Sequence, residues 1–81
     1  MMRLLEHTSG MPLVLANVGD TVTLESIRAE ENVKSKLTAM GFCPGVQIRL
    51  AGRSHHGPCI LIVKGVRLAL DWETAYRILV R

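Results

Sequence analysis

The sequence predicts a mainly β domain, a small closed or half-closed barrel of about five short strands with one short α-helix between the first two. Three observations carry this. Apolar and polar residues alternate with the period of a strand in several short runs separated by glycine-containing turns. One run alone, around residues 32–40, changes to helical spacing. The chain has 81 residues, enough for one domain and too few for a large core.

Residues 1–10 read as a flexible extension ending at Ser9-Gly10, and the domain proper as residues 11–81. Met11-Pro12-Leu13 leads toward Leu15 and Val18, and Gly19-Asp20 makes a turn. Residues 21–28 form the first strand, with Val22, Leu24 and Ser26 on one face and Thr21, Thr23, Glu25 and Ile27 on the other. Glu30 and Glu31 suit the positive end of the helix that follows. Val33, Leu37 and Met40 are spaced to share one helix face, while Lys34, Ser35, Lys36 and Thr38 occupy the remainder. Gly41 stands where a left-handed helix stop is needed, and Phe42 is placed to fold back on the last turn.

Pro44-Gly45 matches the two central positions of a type II turn. Val46, Ile48 and Leu50 then alternate with Gln47 and Arg49 in the second strand. Residues 52–58 are a polar loop. Residues 59–64 are apolar on both faces and read as a central strand. Gly65-Val66 turns into a fourth strand over 67–70. Asp71 caps a single helical turn over 72–76, and residues 77–81 are the last strand, with Ile78 and Val80 opposite Leu79.

Composition narrows the function. Hydrophobic residues make up 48% of the chain, rich for so small a domain, so part of the apolar surface is expected to stay exposed and to meet a partner. No apolar run approaches the ~18–20 residues of a membrane span. The first ten residues, with Arg3, Glu6 and His7, lack the apolar centre of a secretion signal. The expected location is therefore cytoplasmic, with Cys43 and Cys59 as free thiols. The net charge of +3 comes from scattered Lys and Arg rather than a basic run.

His55, His56 and Cys59 are the one cluster of metal-ligand types. Neighbouring histidines in an extended loop point to opposite sides, so the cluster reads as a solvated loop beside a buried thiol, and no metal site and no cofactor are assigned. No nucleophile–base arrangement and no phosphate-cradling glycine loop can be recognised, so the chain is not read as an enzyme. Nucleic acid is the alternative class, favoured by the basic pI of 9.3. It is disfavoured because only Phe42, Trp72 and Tyr76 could stack on bases. The same shortage weighs against a groove for proline-rich peptides.

Two stretches carry a resemblance. The first is Leu37-Thr38-Ala39-Met40-Gly41-Phe42-Cys43-Pro44-Gly45-Val46. The second is Gly65-Val66-Arg67-Leu68-Ala69-Leu70, followed by Ala75 and Ile78-Leu79-Val80. In this order and spacing they resemble the FeoA family, the small cytosolic component of bacterial ferrous iron transport. The resemblance covers residues 11–81 and implies an SH3-like barrel that binds the cytosolic part of the transporter FeoB, without catalysis and with membrane contact only through that partner. The same fold closes the iron-dependent repressors, but no helix-turn-helix precedes it here. The family's usual apolar-Gly-Asp-Pro loop is replaced by Ser54-His55-His56-Gly57-Pro58.

Within this reading, Leu37, Met40 and Phe42 at the helix end, together with Trp72, are the expected partner-binding residues. Weak self-association through such a surface is compatible with it. A divalent-metal-sensing interaction module is the remaining alternative.

Overall fold

The computed structural model describes residues 10–81. The elements are β1 (Met11–Pro12), a 3-10 turn (Leu13–Leu15), β2 (Thr21–Ile27), α1 (Glu31–Ala39), β3 (Gln47–Arg53), β4 (Cys59–Val63), β5 (Val66–Leu70), α2 (Trp72–Tyr76) and β6 (Ile78–Val80). They form one antiparallel sheet in the order β1-β6-β2-β3-β4-β5. The mainly β barrel with a helix between the two long strands β2 and β3 is therefore the observed architecture. The expected flexible extension lies outside the described residues except for Gly10, whose N–H donates to the Val80 carbonyl at 3.0 Å.

Strand β2 makes the sheet bend. Its first half, Thr21 to Thr23, pairs with β3, and its second half, Leu24 to Ile27, pairs with β6. The register shifts between Leu24 and Ser26. An extra residue at this point turns the strand and raises its twist, so one strand serves both halves of a barrel. The bulge also corrects the alternation read from the sequence. Leu24 and Ile27 are both buried, although an uninterrupted strand would put them on opposite faces.

Helix α1 ends as the sequence indicates. Gly41 adopts φ +103°, its N–H donates to the Thr38 carbonyl, and the Phe42 N–H reaches back to the Leu37 carbonyl, both at 3.0 Å. These paired bonds satisfy the last helical carbonyls and swing Phe42 inward. The Cys43-Pro44-Gly45-Val46 turn follows, closed by Val46 N–H to the Cys43 carbonyl at 3.0 Å with Gly45 at φ +93°. The β4–β5 hairpin turns on Lys64 and Gly65, both at positive φ, which matches the twist of the flanking strands. This places Val66 in β5 rather than in the turn.

One core fills the barrel. Ile48 and Leu50 from β3, Cys59, Leu61 and Val63 from β4, and Ile78 and Val80 from β6 meet Leu24, Leu37, Phe42 and Ala75. Leu13 and Val14 of the 3-10 turn close one end. Strand β4 buries only its Cys59, Leu61, Val63 face. Ile60 and Ile62, on its other face, are half-buried.

Candidate functional site

The helix end does not present the surface expected of it. Phe42 is completely buried and Leu37 is 3% exposed, so neither offers a side chain to a partner. The reason is the turn geometry: the two bonds after Gly41 fold the chain back and drive the Phe42 ring into the barrel. Met40 lies one residue beyond α1, as its C-terminal cap, and is 44% exposed. Val33, its expected companion, packs partly against the core. Of the four residues expected at a partner surface, Met40 and the half-buried Trp72 remain accessible.

Trp72 belongs to an aromatic ladder that joins a local helical spacing to a residue from a distant loop. Its ring stacks on Tyr76 with centroids 5.3 Å apart and planes inclined by 17°. The spacing i to i+4 within α2 places the two on one side of the turn. On its other flank Trp72 meets His56 edge-on at 5.6 Å, and His56 meets His55 at 4.2 Å. The imidazoles therefore lie together rather than on opposite sides of the loop. His56 sits at φ +59°, and that left-handed residue cancels the alternation of an extended chain. Asp71 occupies the cap position of α2 as expected, yet its side chain makes no capping bond.

Cys59 takes no part in the ladder's ring contacts. It is wholly buried in the core, and burial pushes its thiol pKa up, opposed by the nearby Arg53 charge and reinforced by Asp71. A protonated, enclosed sulfur is neither a nucleophile nor a ready metal ligand. Among the described residues no three His, Cys, Asp or Glu side chains converge as a metal site would require. No helix among them is long and apolar enough to cross a membrane.

Arg53 was not singled out by the sequence. At the end of β3 its guanidinium donates to the carbonyl oxygens of Val14 and of Ala16, the latter at 2.7 Å. It pins the 3-10 turn, which packs against α2, and so fixes the platform on which the aromatic ladder stands.

Beyond Tyr76 the surface dips into a basin of about 300 Å³ lined by Gly10, Pro12, Arg28, Tyr76, Arg77 and Leu79. Arg28 follows β2 and Arg77 precedes β6, and the Arg28 N–H donates to the Arg77 carbonyl at 2.8 Å. On the other side of Arg77 a second cleft is lined by Ala29, Glu30, Val33, Glu73 and Thr74. Such an arrangement offers charged and apolar side chains for binding.

Comparison with known proteins agrees with this architecture. The FeoA domain model matches residues 11–81. No curated protein sequence matches the chain. Among solved structures, a crystal structure of an iron uptake regulatory protein, FeoA, is 35% identical, with 88% of this chain and 93% of that one covered and a TM-score of 0.79. A FeoA-like protein from Clostridium acetobutylicum is 28% identical over 90% of this chain and 86% of its own, with a TM-score of 0.80. At 24% identity, FeoA from Stenotrophomonas maltophilia, a prokaryotic SH3 domain protein solved with zinc, shares the fold over 88% of this chain and 89% of its own (TM-score 0.78). The matched domain spans every described strand and helix, and the barrel is SH3-like: the chain belongs to the FeoA family of ferrous iron transport accessory proteins.

Proposed function

We propose that this chain is a non-enzymatic accessory protein of bacterial ferrous iron uptake that works in the cytoplasm by docking on the cytosolic part of a FeoB-type transporter. The observation that carries this reading is the family match, which runs through the whole folded domain from residue 11 to residue 81. The surface is in keeping with it. Leu15, Val18, Met40, Val66 and Tyr76 are large apolar side chains left exposed on an 81-residue protein, and such residues gain from being covered by a partner.

Docking changes a transporter only if the chain binds one of its conformations more tightly than another. The experiment is a pull-down of the transporter's cytosolic domain by the full chain, paired with radioactive ferrous iron uptake in cells lacking the chain's gene. Capture together with reduced uptake that the restored gene repairs is the expected result. Normal uptake without the gene overturns the reading.

A further inference from the structure

The basin beside α2 holds two guanidinium groups, and no carboxylate among the described residues lines it. Arg28 and Arg77 reach it from adjacent strand ends whose backbones are hydrogen-bonded to each other, so their spacing is set by the sheet rather than by a loop. Both side chains are exposed. Tyr76, 49% exposed, forms the wall. Its ring is braced by Trp72, and Trp72 by His56, so the wall is ordered before anything binds. Pro12 and Leu79 supply an apolar side to the same basin.

We propose that this basin is the docking site for a carboxylate-bearing segment of a protein partner, in which one or two Asp or Glu side chains alternate with apolar ones. The inference rests on the accessory reading above only for which partner supplies the segment. The chemistry follows from the lining. A guanidinium offers a planar fork of donors that matches a carboxylate through two parallel bonds. The Tyr76 hydroxyl is a further donor, and the ring can cover an apolar neighbour of the bound acid. Charge complementarity also limits the length of the anion. Glu30 and Glu73 line the cleft immediately beyond Arg77, and Asp71 precedes the same short helix. A nucleic-acid strand carries a charge on every residue and would lay phosphates against those carboxylates. A peptide with acids only at alternate positions can place them at the two arginines alone.

The test is an NMR titration of the isotope-labelled full chain with a short capped peptide alternating Glu and Leu. The controls are the same peptide with Gln for Glu, inorganic phosphate and a thymidine decanucleotide. Amide shifts centred on Arg28, Tyr76, Arg77 and Leu79 are expected, with a change in Trp72 fluorescence. The Gln peptide should bind about tenfold or more weakly, and Arg28→Ala with Arg77→Ala should lower affinity for the Glu peptide by a similar factor, as loss of charge-assisted bonds requires. Both arginines are exposed, so an unchanged melting temperature in the double variant is expected and separates lost binding from lost folding.

Equal binding of the Gln peptide, shifts centred elsewhere, no shifts at about 5 mM peptide, or tighter binding of phosphate or the oligonucleotide at this basin overturns the proposal. A second arm repeats the transporter pull-down. Loss of capture by the double variant supports the basin as the docking site. Unchanged capture by that variant overturns it and leaves the accessory function standing. If the wild-type chain captures no transporter, the choice of partner fails, and the peptide titration still decides the basin.

Discussion

The Arg53 guanidinium binds the Ala16 carbonyl oxygen at 2.7 Å across 37 positions of sequence. It also binds the Val14 carbonyl, so one side chain at the end of β3 satisfies two backbone acceptors of the 3-10 turn. Both acceptor residues, Val14 within the turn and Ala16 just after it, are buried and belong to the core.

Arg53→Ala leaves those acceptors without their donor. The expected loss is about 1–2 kcal/mol, discounted from the full value of two charge-assisted bonds because the arginine is largely exposed. Urea unfolding followed by circular dichroism measures it. Arg53→Lys should recover only part of the loss, since both bonds come from the terminal Nη1 and the lysine side chain ends one bond short of that atom with a more strongly hydrated head. Because the turn packs against α2, the Trp72 emission maximum should shift in Arg53→Ala even under conditions where the protein stays folded.

What could be read in advance divides along the range of the interactions. Helix α1, its glycine stop and the Pro44-Gly45 turn are local, fixed by residues within a few positions, and they stand where periodicity and turn chemistry put them. The bulge in β2 is a compromise between two partner strands that are distant in sequence, so the alternation through Ser26 misassigned Ile27. Strand β1 is two residues long and exists only because β6 offers it an edge. The site divides in the same way. Trp72 is named by the sequence as an expected partner-binding residue, but its partner His56 comes from another loop. Arg28 and Arg77, separated by most of the fold, become neighbours through one backbone bond.

Gly41→Ala tests the helix stop. The residue holds φ +103°, where a Cβ clashes with its own backbone, while the nearest outside atom, Val63 Cγ1, would sit at an ordinary 3.7 Å from that Cβ. The cost is therefore backbone strain rather than crowding, about 1–2 kcal/mol. Gly41→Asn should cost less than Gly41→Ala, since asparagine tolerates the left-handed region better. Thermal melts of the three proteins rank them, and an alanine variant as stable as the parent would contradict the assignment.

Phe42 and Met40 are two positions apart and should respond oppositely to truncation. Phe42 is fully buried, and Phe42→Ala should cost about 3 kcal/mol or more through lost burial and the cavity it leaves. Met40 is 44% exposed beyond the last helical residue, and Met40→Ser should change stability by no more than about 0.5 kcal/mol. Denaturant midpoints decide this. Any role of Met40 in docking would then appear as weakened pull-down at unchanged stability, a separation that Phe42 variants cannot give.

Cys59 supplies the pH dependence. Burial raises its pKa in the folded protein above that of an exposed thiol, so between the two values the unfolded chain has lost its proton and the folded one has kept it. The unfolded state then binds fewer protons, and stability falls as pH rises through that window, which opens near the ordinary thiol value of about 8.5. Below it the thiol contributes no slope. The difference in unfolding free energy between the parent and Cys59→Ala should therefore be constant from about pH 6 to 8 and shrink above about pH 8.5. Thiol titration gives an independent reading. Cys43 is half-buried and Cys59 enclosed, so a disulfide reagent at neutral pH should label Cys43 first and reach Cys59 only at the rate of unfolding. Equal labelling rates for the two cysteines in the native protein would show that the β4 face of the core is open.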